Sequence, residues 1–325
     1  MKLTPIRLAL VFAIAVGFAG SAAAKELRGT DTHALDYPTS QALVYWGKLI
    51  QERTQGRYSV KLYLLDELGG EKETIAQTQS GTLDFTRVDL APLNNTVPET
   101  AIPALPYLFR SVAHMRKAMD GPVGDEILKA LEPHGWIGLA YYDAGARSFY
   151  NTKRPIRTPA DLRDLKLRVP QSDLFVAMMQ ALGATGTPIA FGEVFAALKA
   201  GVVDGAENNW PVYEETKHYE IAKYYSIDEH SLVPGVVLFS KKVWDTLSPE
   251  DQSIIRQAAK ESIAYERKLW DARELESRAI VEKAGCIINT IPDKQQFSAA
   301  MTPVYDKFVT TPNLKDLVKR IQAIQ

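Results

Sequence analysis

Arg168 sits in Leu167-Arg168-Val169-Pro170, a short apolar run that reads as a buried strand with a cation inside it. Arginine is almost never buried without an anion beside it. Its planar fork grips both oxygens of a carboxylate at once, so this position suits recognition of an organic acid. An internal partner, Asp173 or Asp204, is the competing explanation. Arg147, in the run Asp143–Tyr150, follows a strand-like segment and stands where a ligand would dock. The run Val203–Pro211 brings a strand to its end in two amides and an indole, Asn208, Asn209 and Trp210. An amide donates and accepts at once, as sugar hydroxyls require, and Trp210 offers a rigid apolar wall. Asn208 or Asn209 serves equally well as the cap of the helix that follows. Three more groups lie in the first half: His33 after a short first strand, Glu71 between a strand and a helix, and Arg87 at the end of Leu83–Val88. Taken singly, each also fits a structural role, as a satisfied polar side chain, a helix-start acid and a salt-bridge partner respectively.

The elements that must position these groups alternate along the chain. Val60, Leu62 and Leu64 alternate with polar neighbours as a strand does, and Leu43, Trp46, Leu49 and Ile50 share one face of a helix. Strand-like runs recur at Leu83–Val88, Ile137–Tyr142, Lys166–Val169, Val202–Asp204 and Val236–Phe239. Helical patterns lie between them at Glu73–Gln79, Asp125–Leu131, Leu174–Leu182 and Glu193–Ala200. Such alternation predicts α/β domains with mostly parallel sheets, in which ligands bind beyond the carboxyl ends of the strands. Ser248-Pro249-Glu250-Asp251 is a strong helix start, and no Gly or Pro follows until Gly285. One helix over Pro249–Ala284 would be too long for one small domain and would run across two; two consecutive helices are the alternative.

The common enzyme signatures are missing. There is no Gly-rich phosphate loop, no dinucleotide-binding fingerprint and no nucleophile elbow, and the five histidines show no metal-ligand spacing. The 325 residues, 46% hydrophobic and 24% charged, suit two globular domains. With 38 basic against 39 acidic residues there is no electrostatic footprint for nucleic acid, and the single cysteine, Cys286, excludes an intramolecular disulfide. Met1–Ala24 has the three parts of a signal peptide: Lys2 and Arg7, an apolar run Leu8–Ala19, and a small-residue site that places cleavage after Ala24. The expected location is therefore the periplasm.

Three runs carry a resemblance: Leu167–Pro170, the stretch Pro188–Glu193, and Gly201-Val-Val-Asp-Gly-Ala-Glu-Asn-Asn209. Together with Ser240–Ser248 and the long helix, they make the chain similar to the TRAP transporter substrate-binding proteins of the DctP family. The resemblance implies a two-lobed periplasmic binding protein fold with a long helix spanning both lobes. The lobes would comprise residues 25–146 with about 236–272, and 147–235 with about 273–325, hinged near 146, near 235 and within the helix. It implies a receptor that delivers an organic acid to TRAP permease subunits in the membrane, with no catalytic residue, metal or cofactor. Arg168 looks like the family arginine that pairs with the ligand carboxylate, and Arg147 and Asn208 match other pocket positions. The runs Asp31–Thr39, Leu68–Glu73, Tyr142–Asn151 and Asp228–Ser231 resemble the hexuronate-binding branch, in which His33, Glu71 and Arg87 would meet hydroxyls or a second acid oxygen. Ala34 stands where that branch leads one to expect proline. A receptor for a C4-dicarboxylate, an aldonate or sialic acid, and an exported uronate-processing enzyme using Glu71, His33 or Tyr150, are the alternatives.

Overall fold

The computed structural model describes residues 24–325 except Pro292, so all of the expected signal peptide but Ala24 lies outside the described residues. The strands are β1 Lys25–Asp31, β2 Tyr58–Leu64, β3 Phe85–Asp89, β4 Trp136–Tyr142, β5 Arg147–Asn151, β6 Lys166–Val169, β7 Thr185–Pro188, β8 Gly205–Asn208, β9 Tyr224–Ser231, β10 Gly235–Ser240 and β11 Ile287–Thr290. They form two sheets, in the orders β2-β1-β3-β10-β4 and β11-β9-β5-β8-β6-β7. Each sheet has one strand running against all the others, β10 in the first and β5 in the second. These are the first strands reached after the chain crosses from one sheet to the other. Reversal there turns the carboxyl ends of β1, β3 and β4 toward those of β6, β8 and β9. Arg87 on β3, Arg168 on β6 and Asn208 at the end of β8 stand at or near those strand ends.

The apolar runs became strands because both their faces are covered: β4 is buried along its whole length and reads as an unbroken hydrophobic segment. The predicted strand at Val202–Asp204 is instead a bend, and the strand proper is β8. Its four residues, Gly-Ala-Glu-Asn, are all buried although two are polar, which hid it from an apolar pattern. The same holds for β9, where Ser226, Asp228, His230 and Ser231 are buried polar groups.

The helix start at Ser248 works as the sequence predicts. Its hydroxyl accepts from the Asp251 N–H, and one unbroken helix of 35 residues runs over Pro249–Lys283. At 1.5 Å per residue it is about 52 Å long. Ile255, Ala258 and Ala259 near its start pack with Trp46 and Phe239 of the first lobe, while Val281 near its end packs with Tyr213 and Tyr225 of the second. After β11 joins the second sheet, the last helix, Pro312–Ala323, returns to helices Val112–Met119 and Pro122–Ala130, where the Ile321 carbonyl meets His114 Nε2 at 2.9 Å. The residues after 273 are thus shared between the two sides, where the resemblance allots them to the second lobe alone. No helix among the described residues is long and apolar enough to cross a membrane.

Candidate functional site

Arg168, on β6, is 4% exposed and makes a single hydrogen bond, from Nε to the Ile189 carbonyl at 2.9 Å. Neither terminal nitrogen has a partner among the described residues, and no carboxylate lies within ion-pair distance. Asp204, the partner weighed from sequence, is engaged elsewhere: it accepts from the Lys166 N–H at 2.9 Å and faces Lys153 at 3.3 Å. Asp173 lies at the start of the next helix. Burial, and then the neighbouring Arg147, push the Arg168 pKa down. His218 nearby is pushed down to about 3 by burial and by Arg168, so it stays neutral and donates no relief of charge. A buried guanidinium with two idle donor nitrogens is short of one anion.

Arg147 differs. As the first residue of β5 it lies beside Asn208, the last of β8, and its side chain is almost wholly satisfied. Nε and Nη2 grip both carboxylate oxygens of Glu207, at 2.6 and 2.8 Å, Nη2 also reaches the Glu207 carbonyl at 3.0 Å, and Nη1 donates to Asn208 Oδ1 at 3.1 Å. Glu207 in turn accepts from His230 Nε2 at 3.1 Å, and His230 Nδ1 donates to Asp228 at 2.9 Å. Burial would raise Glu207, but Arg147 and His230 overcome it and hold the carboxyl down at about 2. His230, between two carboxylates, is raised to about 9 despite its burial, and so carries a charge. In this network Arg147 and His230 are paired with Glu207 and Asp228, Arg147 also lies 3.6 Å from Asp89 of the opposite lobe, and the cation left without an ion-pair partner is Arg168.

Asn208 lines the cavity. Its Oδ1 is occupied by Arg147 and by the Asn209 N–H, which leaves the Nδ2 donors free among the described residues. The cap role falls to Asn209: its Oδ1 accepts from the Val212 N–H at 2.7 Å, and its Nδ2 donates to the Ala144 carbonyl in the crossing between the sheets. Trp210 is a correction. Its ring lies 3.8 Å from that of Tyr225, under Arg278, within the apolar core of the second lobe and not on the cavity. At the first position of helix Trp210–Glu215, its side chain turns inward to the sheet.

The first lobe answers with acids. On β3, Arg87 pairs with Asp89 at 2.9 Å and lies 3.9 Å from Asp31 at the end of β1, while its buried Nε has no partner. Gly235 on β10 leaves the room for this guanidinium, since a Cβ there would fall 2.3 Å from Arg87 Nη2. Glu71, first residue of helix Glu71–Ser80, accepts from the Asp89 N–H at 2.8 Å. Burial and then the adjacent Asp89 push its carboxyl up to about 7. His33 lies flat on Tyr37, with ring centres 3.7 Å apart, and meets Phe191 edge-on. Its Nδ1 donates to Glu215 Oε2 at 2.9 Å, and the Ala34 N–H donates to Oε1 at 3.2 Å. Burial opposes charge on His33, but Glu215 and Asp31 outweigh it and hold the imidazole above its ordinary value.

Of the groups predicted from sequence, His33, Glu71, Arg87 and Asn208 converge on one small space, while Arg168, Arg147 and Trp210 are not in its lining. Thr32, His33, Tyr37, Glu71, Arg87 and Asp89 from one lobe, with Phe191, Asn208, Asn209 and Val212 from the other, enclose a space of about 20 Å³. A groove lined by Leu35, Gln41, Val44 and Tyr265 is far larger, about 570 Å³, but it is open and mainly apolar. Charge and hydrogen-bonding capacity, not size, mark the smaller space as the site. Sequence reasoning passed over Asp89, Tyr37, Phe191, Glu207, His230 and Glu215. Glu207 carried a usable signal, because a buried arginine heading the adjacent strand requires an acid close by, and it stands within the run that was singled out.

Two sheets facing each other across a polar cleft, with one long helix packed on both, define a two-lobed solute-binding protein. Residues 30–311 match the bacterial extracellular solute-binding protein family 7, DctP, and the chain belongs to that family. It is 40% identical over 313 residues to a solute-binding protein of Chromohalobacter salexigens, covering 96% of this chain and 93% of that one. Among solved structures, a TRAP periplasmic solute binding protein from Bradyrhizobium sp. BTAi1 in complex with α/β-D-galacturonate is 54% identical, with a TM-score of 0.90 over 92% of this chain and 99% of that one. A TRAP periplasmic solute binding protein from Roseobacter denitrificans with bound β-D-glucuronate is 41% identical, with a TM-score of 0.91 over 93% of this chain and 100% of its own.

Proposed function

We propose that this protein is the periplasmic receptor of a TRAP transporter, that it captures a hexuronate, D-glucuronate or D-galacturonate, and that it passes the ligand unchanged to the membrane permease. The observation that carries this reading is the buried guanidinium of Arg168, which has no ion-pair partner and lies near enough to Glu71 of the opposite lobe for the two charges to act on each other. A sugar acid has matching ends. Its carboxylate supplies the anion that Arg168 lacks, in the two-pronged geometry a guanidinium favours. Its hydroxyls, which both donate and accept, meet the Asp89 carboxylate, the Glu71 carboxyl, which at about 7 can take either role, and the Arg87 guanidinium, which donates. His33 and the free Nδ2 of Asn208 complete the ring. Arg147 acts one step back, holding Asn208 and Glu207 in place. A simple dicarboxylate would leave the acids of the first lobe facing a second negative charge.

Capture requires motion. At about 20 Å³ the space has little more than the room one water needs, so a sugar is admitted only when the lobes part. The crossings at 143–146 and 232–234 and a bend within the long helix serve as the hinges. The division into lobes then runs at about 146 and 235, as the resemblance implies. Ligand touching both walls stabilises the closed form by its differential affinity for it. Calorimetric titration with the two hexuronates tests the reading, run beside Arg168→Ala. The wild type is expected to bind one molecule and release it unaltered, and the variant to lose roughly 2–5 kcal/mol. Near-normal affinity in Arg168→Ala, or conversion of the sugar, would overturn it.

A further inference from the structure

We propose that Glu215 is an interlobe clasp and the positioning residue for His33: it grips the His33–Ala34 turn from across the cleft and fixes the His33 ring only when the cleft is shut. The inference rests on the receptor reading above and adds to it a closing contact made by the protein itself.

Glu215 ends helix Trp210–Glu215 of the second lobe, 182 residues along the chain from His33. Its two oxygens serve two successive residues of the first lobe, Oε2 accepting from His33 Nδ1 at 2.9 Å and Oε1 from the Ala34 N–H at 3.2 Å. Nothing else hydrogen-bonds this carboxylate among the described residues. The adjacent Glu214 is held instead by Arg273 and Ser277 of the long helix, at 2.6 and 3.3 Å. Burial works against Glu215 as an anion, yet His33 and the Ala34 N–H hold its pKa below the usual value, which agrees with the geometry.

The rest of the His33 environment divides between the lobes. Tyr37, whose ring lies at 9° to the imidazole, comes from the same lobe, and Phe191 from the other. When the lobes part, Tyr37 stays with the ring while Glu215 and Phe191 leave together, and the imidazole loses the partner that sets its rotation and tautomer. His33 lines the interlobe space while the Glu215 side chain is 17% exposed, so the clasp joins the ligand-facing ring to the outer side of the cleft. Ala34 gives this chain a particular advantage. A proline there has no N–H and would leave Glu215 Oε1 without its donor.

Dissociation of D-galacturonate or D-glucuronate, whichever binds tighter, is measured by stopped flow for wild type, Glu215→Ala, Glu215→Gln, Ala34→Pro and the Ala34→Pro/Glu215→Ala pair. A charged hydrogen-bonded contact present only in the closed form sets the off-rate, so Glu215→Ala is expected to release ligand about tenfold faster with the on-rate changed by less than about threefold. Glu215→Gln, which keeps an acceptor, should fall between. Ala34→Pro should speed release in the wild type and add nothing once Glu215 is gone, because the two share one bond. An off-rate within about twofold of wild type in Glu215→Ala, or additive effects in the pair, overturns the clasp and leaves the receptor intact. If neither sugar binds the wild type, the ligand reading fails, and the clasp is still decided by the distance between spin labels at exposed Lys72 and Lys199 in ligand-free protein with Cys286→Ser. Glu215→Ala should then deplete the short-distance, closed population that the wild type shows, and a closed population of the same size in the variant overturns the clasp.

Discussion

At the scale of single residues, the site is organised by which charges are spent and which are left over. Arg147 spends nearly all of its donors on Glu207 and Asn208, whereas Arg168 keeps two nitrogens free. The two arginines looked alike in the sequence. Only the fold could separate them, because the choice depends on Glu207 sitting opposite Phe149 on the strand next to Arg147. Glu71 shows the cost of gathering acids in one wall. Folded, its carboxyl titrates at about 7; unfolded, at the ordinary 4.5. Between those values the folded protein holds a proton that the unfolded chain has released, so a raised carboxyl lowers stability as pH rises through this window. Glu71→Gln is expected to flatten that decline in the ligand-free protein between about pH 4.5 and 7. Denaturant unfolding at several pH values checks this, and an unchanged slope would show that Glu71 is not held protonated.

At the scale of elements, the site depends on two strands that run against their sheets. β5 delivers Arg147 to the cleft at its amino end because it is reversed, and β10, also reversed, brings Gly235 alongside Arg87. Gly235→Ala would force a Cβ into the guanidinium, which has no spare room at 2% exposure. It is expected to cost at least about tenfold in ligand affinity while leaving the fold intact, since overpacking by one methyl costs about 1–3 kcal/mol. Titration of the variant beside a melting curve separates the two effects. Apolar elements were legible in the sequence: β4, β6 and β10, and the long helix with its Ser248 cap, lie within a residue or two of where the patterns put them. β5, β8 and β9 were not legible as strands, because Glu207, Asp228 and His230 carry charge inside them and are neutralised by one another across strands. Trp210 was misplaced for the complementary reason, since an indole beside two amides suits a sugar wall but found Tyr225.

At the scale of the whole molecule, the two walls of the cleft offer different groups. The second lobe holds a buried cation without an ion-pair partner, Arg168, and the first gathers Asp31, Asp89 and Glu71 around Arg87, so a ligand with a carboxylate at one end and hydroxyls at the other has one favourable orientation. The long helix binds both lobes, with Trp270 at its middle packed on Tyr37 and against Gly145 in the first crossing. The orientation of the ligand is the central claim, and a crystal structure of the protein with D-glucuronate or D-galacturonate tests it most directly. The carboxylate is expected within hydrogen-bond distance of both terminal nitrogens of Arg168, with hydroxyls on Glu71, Asp89 and Arg87. A sugar seated the other way round, with its carboxylate on Arg87 and hydroxyls toward Arg168, would contradict it.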